Sequence, residues 1–244
     1  KSPFVAVKVL SNEFADHPDA VTIMQREAKK TRELSHPNIV QVFDFIFEND
    51  LCYIVMELLE GESLDKLIKR SRPNGLPKSG VMKVVQQMSS ALSFAHKKGV
   101  LHSDLKPSNI FITNQQDVKI FDFGVARALK QQIDEYAVQS QNDEPEFDVG
   151  GFTPAYASPN MLNNQPIDVK DDVYGLACIS YEMLTSKHPY DRTPADKALS
   201  KELKPKKCSK LSPFAWAGLK KGLALKHNDR VATVDLFYQG LSKQ

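Results

Sequence analysis

Apolar and polar positions change their spacing along this chain, and each change marks a different kind of element. Near the start, Phe4-Val5-Ala6-Val7-Lys8-Val9-Leu10 alternates with the two-residue period of a β-strand. Val5, Val7 and Val9 share one face; Ala6, Lys8 and Leu10 share the other. Lys8 therefore stands beside a small residue, which leaves room for something flat to lie against Ala6. From Ala20 to Leu34 the period becomes helical, with Asp19 as N-cap and Met24, Glu27, Ala28 and Thr31 on one face. A glutamate on that inward face needs a partner, and Lys8 is the natural candidate. His36-Pro37-Asn38 stops the helix. Strands are expected over 39–47 and 51–57, joined by a turn at Glu48-Asn49-Asp50.

Beyond Gly61 the pattern is mostly helical. Residues 77–99 carry an apolar stripe at Val81, Val84, Val85, Met88, Leu92 and Ala95, ended by a glycine. Residues 172–184 are apolar nearly all round, which predicts a helix buried at the centre of the larger part. Two last helices are expected over 214–225 and 232–241. A strand-rich beginning followed by a helical remainder gives an α+β chain with residues 1–57 as a small part and 58–244 as a large one. The longest irregular stretch, about 129–159, holds Asp134, Glu135, Asp143, Glu144, Glu146 and Asp148, and no Lys or Arg after Lys130. So long a loop inside a compact fold is usually functional or mobile.

Composition narrows the classes. With 244 residues, 41% hydrophobic and 25% charged, the chain is an ordinary soluble globular protein able to bury a sizeable core. A formal charge of +2 implies no global attraction to nucleic acid or anionic membrane. The three scattered cysteines (Cys52, Cys178 and Cys208) lack metal-ligand spacing and suggest a reducing compartment. No apolar run is long enough to span a membrane, although an anchor beyond either end is compatible with the sequence.

The densest chemistry lies in His102-Ser103-Asp104-Leu105-Lys106-Pro107-Ser108-Asn109, followed by Asp122-Phe123-Gly124 thirteen residues after Asn109. An Asp, a Lys and an Asn at this spacing, then Asp-Phe-Gly, resembles the catalytic and metal-binding loops of a protein kinase. The resemblance is to the eukaryotic-type (Hanks-type) Ser/Thr kinases, particularly their bacterial branch, and runs from Val5 to Leu241. It implies a two-lobed fold, with residues 1–57 as the small lobe and 58–244 as the large one.

The same resemblance assigns roles. Asp104 would orient and deprotonate a Ser or Thr hydroxyl, and Lys106 would neutralise charge on the phosphate in transit. Asn109 and Asp122 would hold magnesium. Lys8, held by Glu27, would grip the phosphates of ATP, with Ala6 against the base. Met56 and the backbone of Glu57 and Leu59 would read adenine, with Phe111 beneath it. His102 and Phe123 would stack between the lobes, so that His102 packs and is no base. Asp172 would clasp the catalytic-loop backbone, residues 153–159 would bind peptide, and Arg230 would be a structural arginine. The partner implied is a Ser/Thr-containing protein, and the location cytoplasmic, including the cytoplasmic part of a membrane-anchored protein. Lys106 and Thr153 favour Ser/Thr over Tyr.

The sequence also departs from the pattern. Only seven residues precede Lys8, too few for the glycine-rich hairpin that normally covers the phosphates. A start part-way into the small lobe is expected, leaving an open sheet edge; the rival is a kinase without a lid. Ser103 replaces the arginine that clamps a phosphorylated loop, so loop phosphorylation is not expected to be the main switch. Ser158-Pro159-Asn160 stands where Ala-Pro-Glu is usual, so Arg230 should lose its ion pair and the segment soften. Thr31 replaces an apolar residue of the inter-lobe stack and should leave its helix less firmly held. The other histidines read as surface or turn residues, and the five lysines of 201–210 as a solvated connection or a dock for an acidic partner. Two other functions fit the motifs less well: a pseudokinase scaffold, and a small-molecule kinase of the aminoglycoside-phosphotransferase type.

Overall fold

The computed structural model describes residues 4–10, 29–48, 51–123 and 153–243. Glu27, Gly124 and the acidic positions between 134 and 148 lie outside the described residues, as does most of the helix expected over 20–34.

Three antiparallel strands open the fold: β1 (Val5–Leu10), β2 (Val42–Glu48) and β3 (Leu51–Glu57), in the spatial order β1-β3-β2. Lys8 sits opposite Ile54, and Ala6 opposite Met56. The alternation expected of β1 is present, yet its apolar face is the outward one. Val5, Val7 and Val9 are exposed while Ala6 and Lys8 are half-buried. Periodicity separates two faces without saying which is inward, and here the inner face is that of Ala6 and Lys8. Among the described residues β1 pairs with β3 alone.

Residues 29–32 are helical, and the helix ends before Leu34. Pro37 pushes the residue before it out of helical geometry, and the Asn38 amide donates to His36 Nδ1 at 3.1 Å. The chain then meets the second sheet through Val40 N–H to Ile120 O and Ile120 N–H to Asn38 O, both 2.9 Å. That sheet runs β4 (Gly61–Ser63), β5 (Ile110–Thr113) and β6 (Val118–Ile120), antiparallel and in that order. Gly61 has φ 149°, and a Cβ there would lie 2.2 Å from the Ile112 carbonyl oxygen; only glycine fits.

The rest is helical. α1 (Leu64–Arg70) follows β4, and α2 (Lys78–Lys97) buries Val81, Val85, Met88, Leu92 and Ala95 of the expected stripe, with Val84 half-buried at its edge. α3 (Pro159–Leu162) is short, and α4 (Val169–Thr185) is buried without a break from Asp171 to Leu184. It starts three residues before the expected Asp172, because Asp168 and Asp171 form a capping box at its head. α5 (Ala195–Ser200), α6 (Pro213–Gly222) and α7 (Val234–Leu241) complete the large lobe.

Candidate active site

The loop of residues 101–109 has only a short 3-10 turn at Pro107–Asn109, so its shape has to be imposed from outside. Asp172, buried near the head of α4, imposes it. Its Oδ2 accepts from the His102 amide at 2.9 Å, and its Oδ1 from the Ser103 amide at 3.0 Å. His96 Nε2 lies 2.7 Å from Oδ2. Burial alone would raise the carboxyl's pKa, but the His96 bond, with the two imidazoles and the His102 amide beside it, holds it below its ordinary value. Ser103 takes φ 68°, a left-handed conformation unusual for serine, so the clasp fixes a backbone the residue would not adopt alone. One turn along α4, Gly175 brings its backbone against the loop: a Cβ there would meet Leu105 Cβ at 3.1 Å.

His102 is fully buried and packs on Phe123, with ring centroids 4.8 Å apart. Its Nε2 donates to the Phe121 carbonyl at 3.0 Å, and its Nδ1 accepts from the Asp104 amide at 3.2 Å. Both contacts are met by the neutral ring protonated on Nε2. The residue is thus a spacer between Phe121, Phe123 and Asp104, as expected.

Around Asp104 three residues converge. Lys106 Nζ lies 2.6 Å from Asp104 Oδ2 and donates to Thr153 Oγ1 at 2.9 Å. The Thr153 amide donates to Asp104 Oδ1 at 3.1 Å. Asn109 Nδ2 donates to the Asp104 carbonyl at 3.0 Å and to Oδ2 at 3.3 Å. At the second loop, Asp122 adopts φ 66° and pairs with Lys8 Nζ at 2.6 Å while Phe123 is wholly buried behind it. Lys8 thus meets Asp122; the expected pair with Glu27 lies outside the described residues.

The donor set suits magnesium held jointly with a nucleotide. Asn109 spends its amide nitrogen on Asp104 and Asp122 its Oδ2 on Lys8, while the Oδ1 of each has no hydrogen bond among the described residues. Among the described residues no group of three or more His, Cys, Asp or Glu is assembled as an all-protein metal cage. Magnesium commonly takes one or two protein oxygens, with water and phosphate completing the octahedron.

The expected nucleotide-lining residues lie on β1, at the end of β3 and just after it, and on β5 of the second sheet. Met56 is half-buried at the end of β3 and lines a small cavity of about 20 Å³ with Val42, Ile54, Phe121 and Phe123. The Glu57 amide donates to the Gln41 carbonyl at 3.0 Å. Its carboxylate accepts from the Gln41 amide at 2.8 Å and from Lys119 Nζ at 2.6 Å, so the strand's exit is held on both sides. Leu59 and Phe111 are half-buried, the latter paired with Ser63 and Lys119 across the second sheet.

Residues 1–237 match the protein kinase domain family. The chain belongs to the protein kinase family. A probable serine/threonine-protein kinase of Clostridium acetobutylicum is 37% identical over 196 residues, covering 80% of this chain and 28% of that protein. The kinase pkn3 of Myxococcus xanthus is 32% identical over 249 residues, covering 96% of this chain and 44% of its own length. The chain therefore spans less than half the length of each of these relatives. The PknI kinase domain of Mycobacterium tuberculosis superposes with a TM-score of 0.75 at 25% identity, over 99% of this chain and 86% of that one.

At two departures from the kinase pattern the structure supplies a contact of another kind. Arg230 keeps an ion pair: its Nη1 lies 3.2 Å from Asp171 Oδ1, and it donates to the carbonyls of Ala224, Leu225 and Lys170. Ser158, in place of the usual alanine, donates to the same Asp171 oxygen at 2.5 Å and caps α3. The segment's end is anchored through Asp171, with no carboxylate needed at Asn160. Thr31 is buried and donates to the Phe123 carbonyl at 3.2 Å, giving the stack a hydrogen bond where an apolar residue would give packing. The histidines are not all peripheral: His96 holds Asp172, and His188 is buried beside Tyr156. Lys210 is no free surface charge either, since it donates to the carbonyls of Asn74 and Leu76 and ties down the turn before α2. Sequence reading passed over Asp171, Glu182 and Arg192, took His96 for a surface or turn residue and gave Tyr156 no role of its own within 153–159; only the Tyr-Glu-Met run after Ser180 offered a signal for Glu182, as charge within an apolar helix.

Proposed function

We propose that this chain is the catalytic domain of a protein serine/threonine kinase that transfers the γ-phosphate of Mg-ATP. The observation that carries the reading is the closed cluster of Asp104, Lys106, Asn109 and Thr153, in which each side chain fixes another. Such a cluster needs no rearrangement to receive charge, which is where most of the rate gain in phosphoryl transfer originates.

In this reading a Ser or Thr hydroxyl enters beside Asp104, whose carboxylate aligns it and accepts its proton. Lys106, already between Asp104 and Thr153, offsets charge on the transferring group. Lys8 leaves Asp122 for the nucleotide's phosphates, freeing that carboxylate. Magnesium, when bound with the nucleotide through Asp122 and Asn109, would screen the phosphate oxygens from the incoming nucleophile. Residues 153–159 abut the catalytic cluster through Thr153, which favours a peptide acceptor over a small alcohol. No helix among the described residues is long and apolar enough to cross a membrane, and the reading places the domain in the cytoplasm, where Mg-ATP is supplied.

The test is transfer of labelled γ-phosphate to the chain itself and to a generic protein acceptor, with Asp104→Asn alongside. Incorporation that disappears in the variant supports the reading; incorporation equal in both proteins would refute it. Binding of Mg-ATP without any transfer would identify a pseudokinase.

A further inference from the structure

Beside Asp104 lies a cleft of about 490 Å³, bounded by α1 and the turn after it, by Lys106 to Ser108, and by Thr153, Tyr156 and Arg192. Its charges are unequal. Lys69, Arg72, Lys106 and Arg192 line it against two carboxylates, Asp65 and Glu182. Both carboxylates are already engaged. Asp65 accepts from Ser63 Oγ at 2.5 Å and from Lys69 Nζ at 3.0 Å. Glu182, only 3% exposed, accepts from the Tyr156 hydroxyl at 2.5 Å and from Arg192 Nη2 at 2.8 Å. Glu62, on the strand leading into α1, is gripped by both terminal nitrogens of Arg70 at 2.6 and 2.9 Å.

Among the described lining residues no carboxylate is left to receive a basic substrate, whereas Arg72 is unpaired and Arg192 is only partly used. Arg72 is exposed and its guanidinium has no partner among the described residues. Arg192 uses one nitrogen on Glu182, lies 5.7 Å over the Tyr156 ring, and stays half-exposed. It is also held in place: Asp191 and Arg192 have φ of 49° and 61°, two successive left-handed residues that only a fixed surrounding maintains. A planar guanidinium oriented in this way suits the fork of a carboxylate or phosphate.

We infer that this cleft selects acceptor peptides carrying an anionic side chain close to the phosphorylated hydroxyl, with Arg72 and Arg192 as its readers and Lys69 in support. The inference rests on the kinase reading above and names its substrate class. A peptide of that chemistry exists in the chain's own sequence: residues 136–148 contain Ser140 followed by Asp143, Glu144, Glu146 and Asp148, without a Lys or Arg.

That peptide is the probe. It is compared with a version whose four acids are changed to Asn and Gln, a version with Lys at those positions, and one with phosphoserine at the Asp143 position. The acidic and phosphorylated peptides should be used with kcat/KM about tenfold above the amide version, the gap narrowing as salt is raised. The double variant Arg72→Glu with Lys69→Glu, both exposed positions, should abolish or reverse the preference, with the change falling on KM. Equal or better use of the amide or lysine peptide would overturn the inference while leaving the kinase reading intact. Binding of the same labelled peptides to the Asp104→Asn protein, followed by fluorescence anisotropy, separates the two claims. If no peptide is phosphorylated the kinase reading falls, and the binding order still decides the charge preference: acidic first supports it, lysine first or no order overturns it.

Discussion

Arg230 and Asp171 form an ion pair at 3.2 Å in which the side chains are 0% and 2% exposed, joining the stretch before α7 to the head of α4. Burial lowers the guanidinium's pKa, and Asp171 is the main group opposing that shift. The Arg230 guanidinium also lies 5.0 Å over the Tyr174 ring. Removing one member would leave a charge in a dry site, which costs about 3–5 kcal/mol. Asp171→Asn should therefore destabilise strongly, while Asn160→Asp, at the position expected to carry the acid, should have little effect. Urea unfolding of both variants checks this; equal stability losses would show that Asp171 is not the partner that counts.

Ser158 serves the same anchor with a single hydroxyl, which donates to Asp171 and accepts from the Met161 amide at 3.3 Å. Ser158→Ala removes a cap and leaves one Asp171 oxygen short of a donor. A loss of about 1–2 kcal/mol is expected. The restored family residue should thus be harmful in this chain, which a thermal melt would reveal.

The catalytic assignment makes a sharper demand. Asp104→Asn keeps the shape and the contacts to Asn109 and Thr153 but removes the charge and the proton acceptor, so kcat should fall by about 10² to 10⁴ with the fold unchanged. Asp122→Ala should abolish transfer and weaken the magnesium dependence of nucleotide binding. Isothermal titration with Mg-ATP and with ATP alone would detect the latter, and an Asp122→Ala protein as active as wild type would remove this residue from the site.

Much of this site could be read before any coordinates, and the reason is local. The loop of Asp104, Lys106 and Asn109 is one short run of sequence, so its spacing is its geometry. Helices α2 and α4 were legible because their apolar patterns are long. What was hidden depends on contacts between distant segments: Asp171 meets Arg230 across 59 positions, and neither residue's neighbours announce it. The same holds for Lys210, whose carbonyl partners lie more than a hundred positions away. For β1, the alternation of Val5, Val7 and Val9 was correct but carried no information on which face meets water.

His188 supplies a dependence on pH that can be followed by stability alone. The residue is 5% exposed, in the turn after α4. Its Nδ1 accepts from the amides of Tyr190 and Arg192 at 3.2 and 3.1 Å, and its Nε2 has no hydrogen-bond partner among the described residues. Burial is the main force lowering its pKa to about 4, and Arg192 adds to it, while the Ala155 backbone and Asp191 pull the other way without overcoming it. An unfolded histidine titrates near 6.5, so between those values the unfolded chain binds the extra proton. The stability due to a neutral His188 is complete above about pH 6.5 and is lost as pH falls toward 4, amounting to about 3 kcal/mol across that window. His188→Asn keeps an acceptor for the two amides and removes the titration. Urea unfolding at intervals from pH 7.5 to 4.5 should show a steep loss in the parent and a shallower one in the variant; parallel curves would mean that the proton is taken up elsewhere.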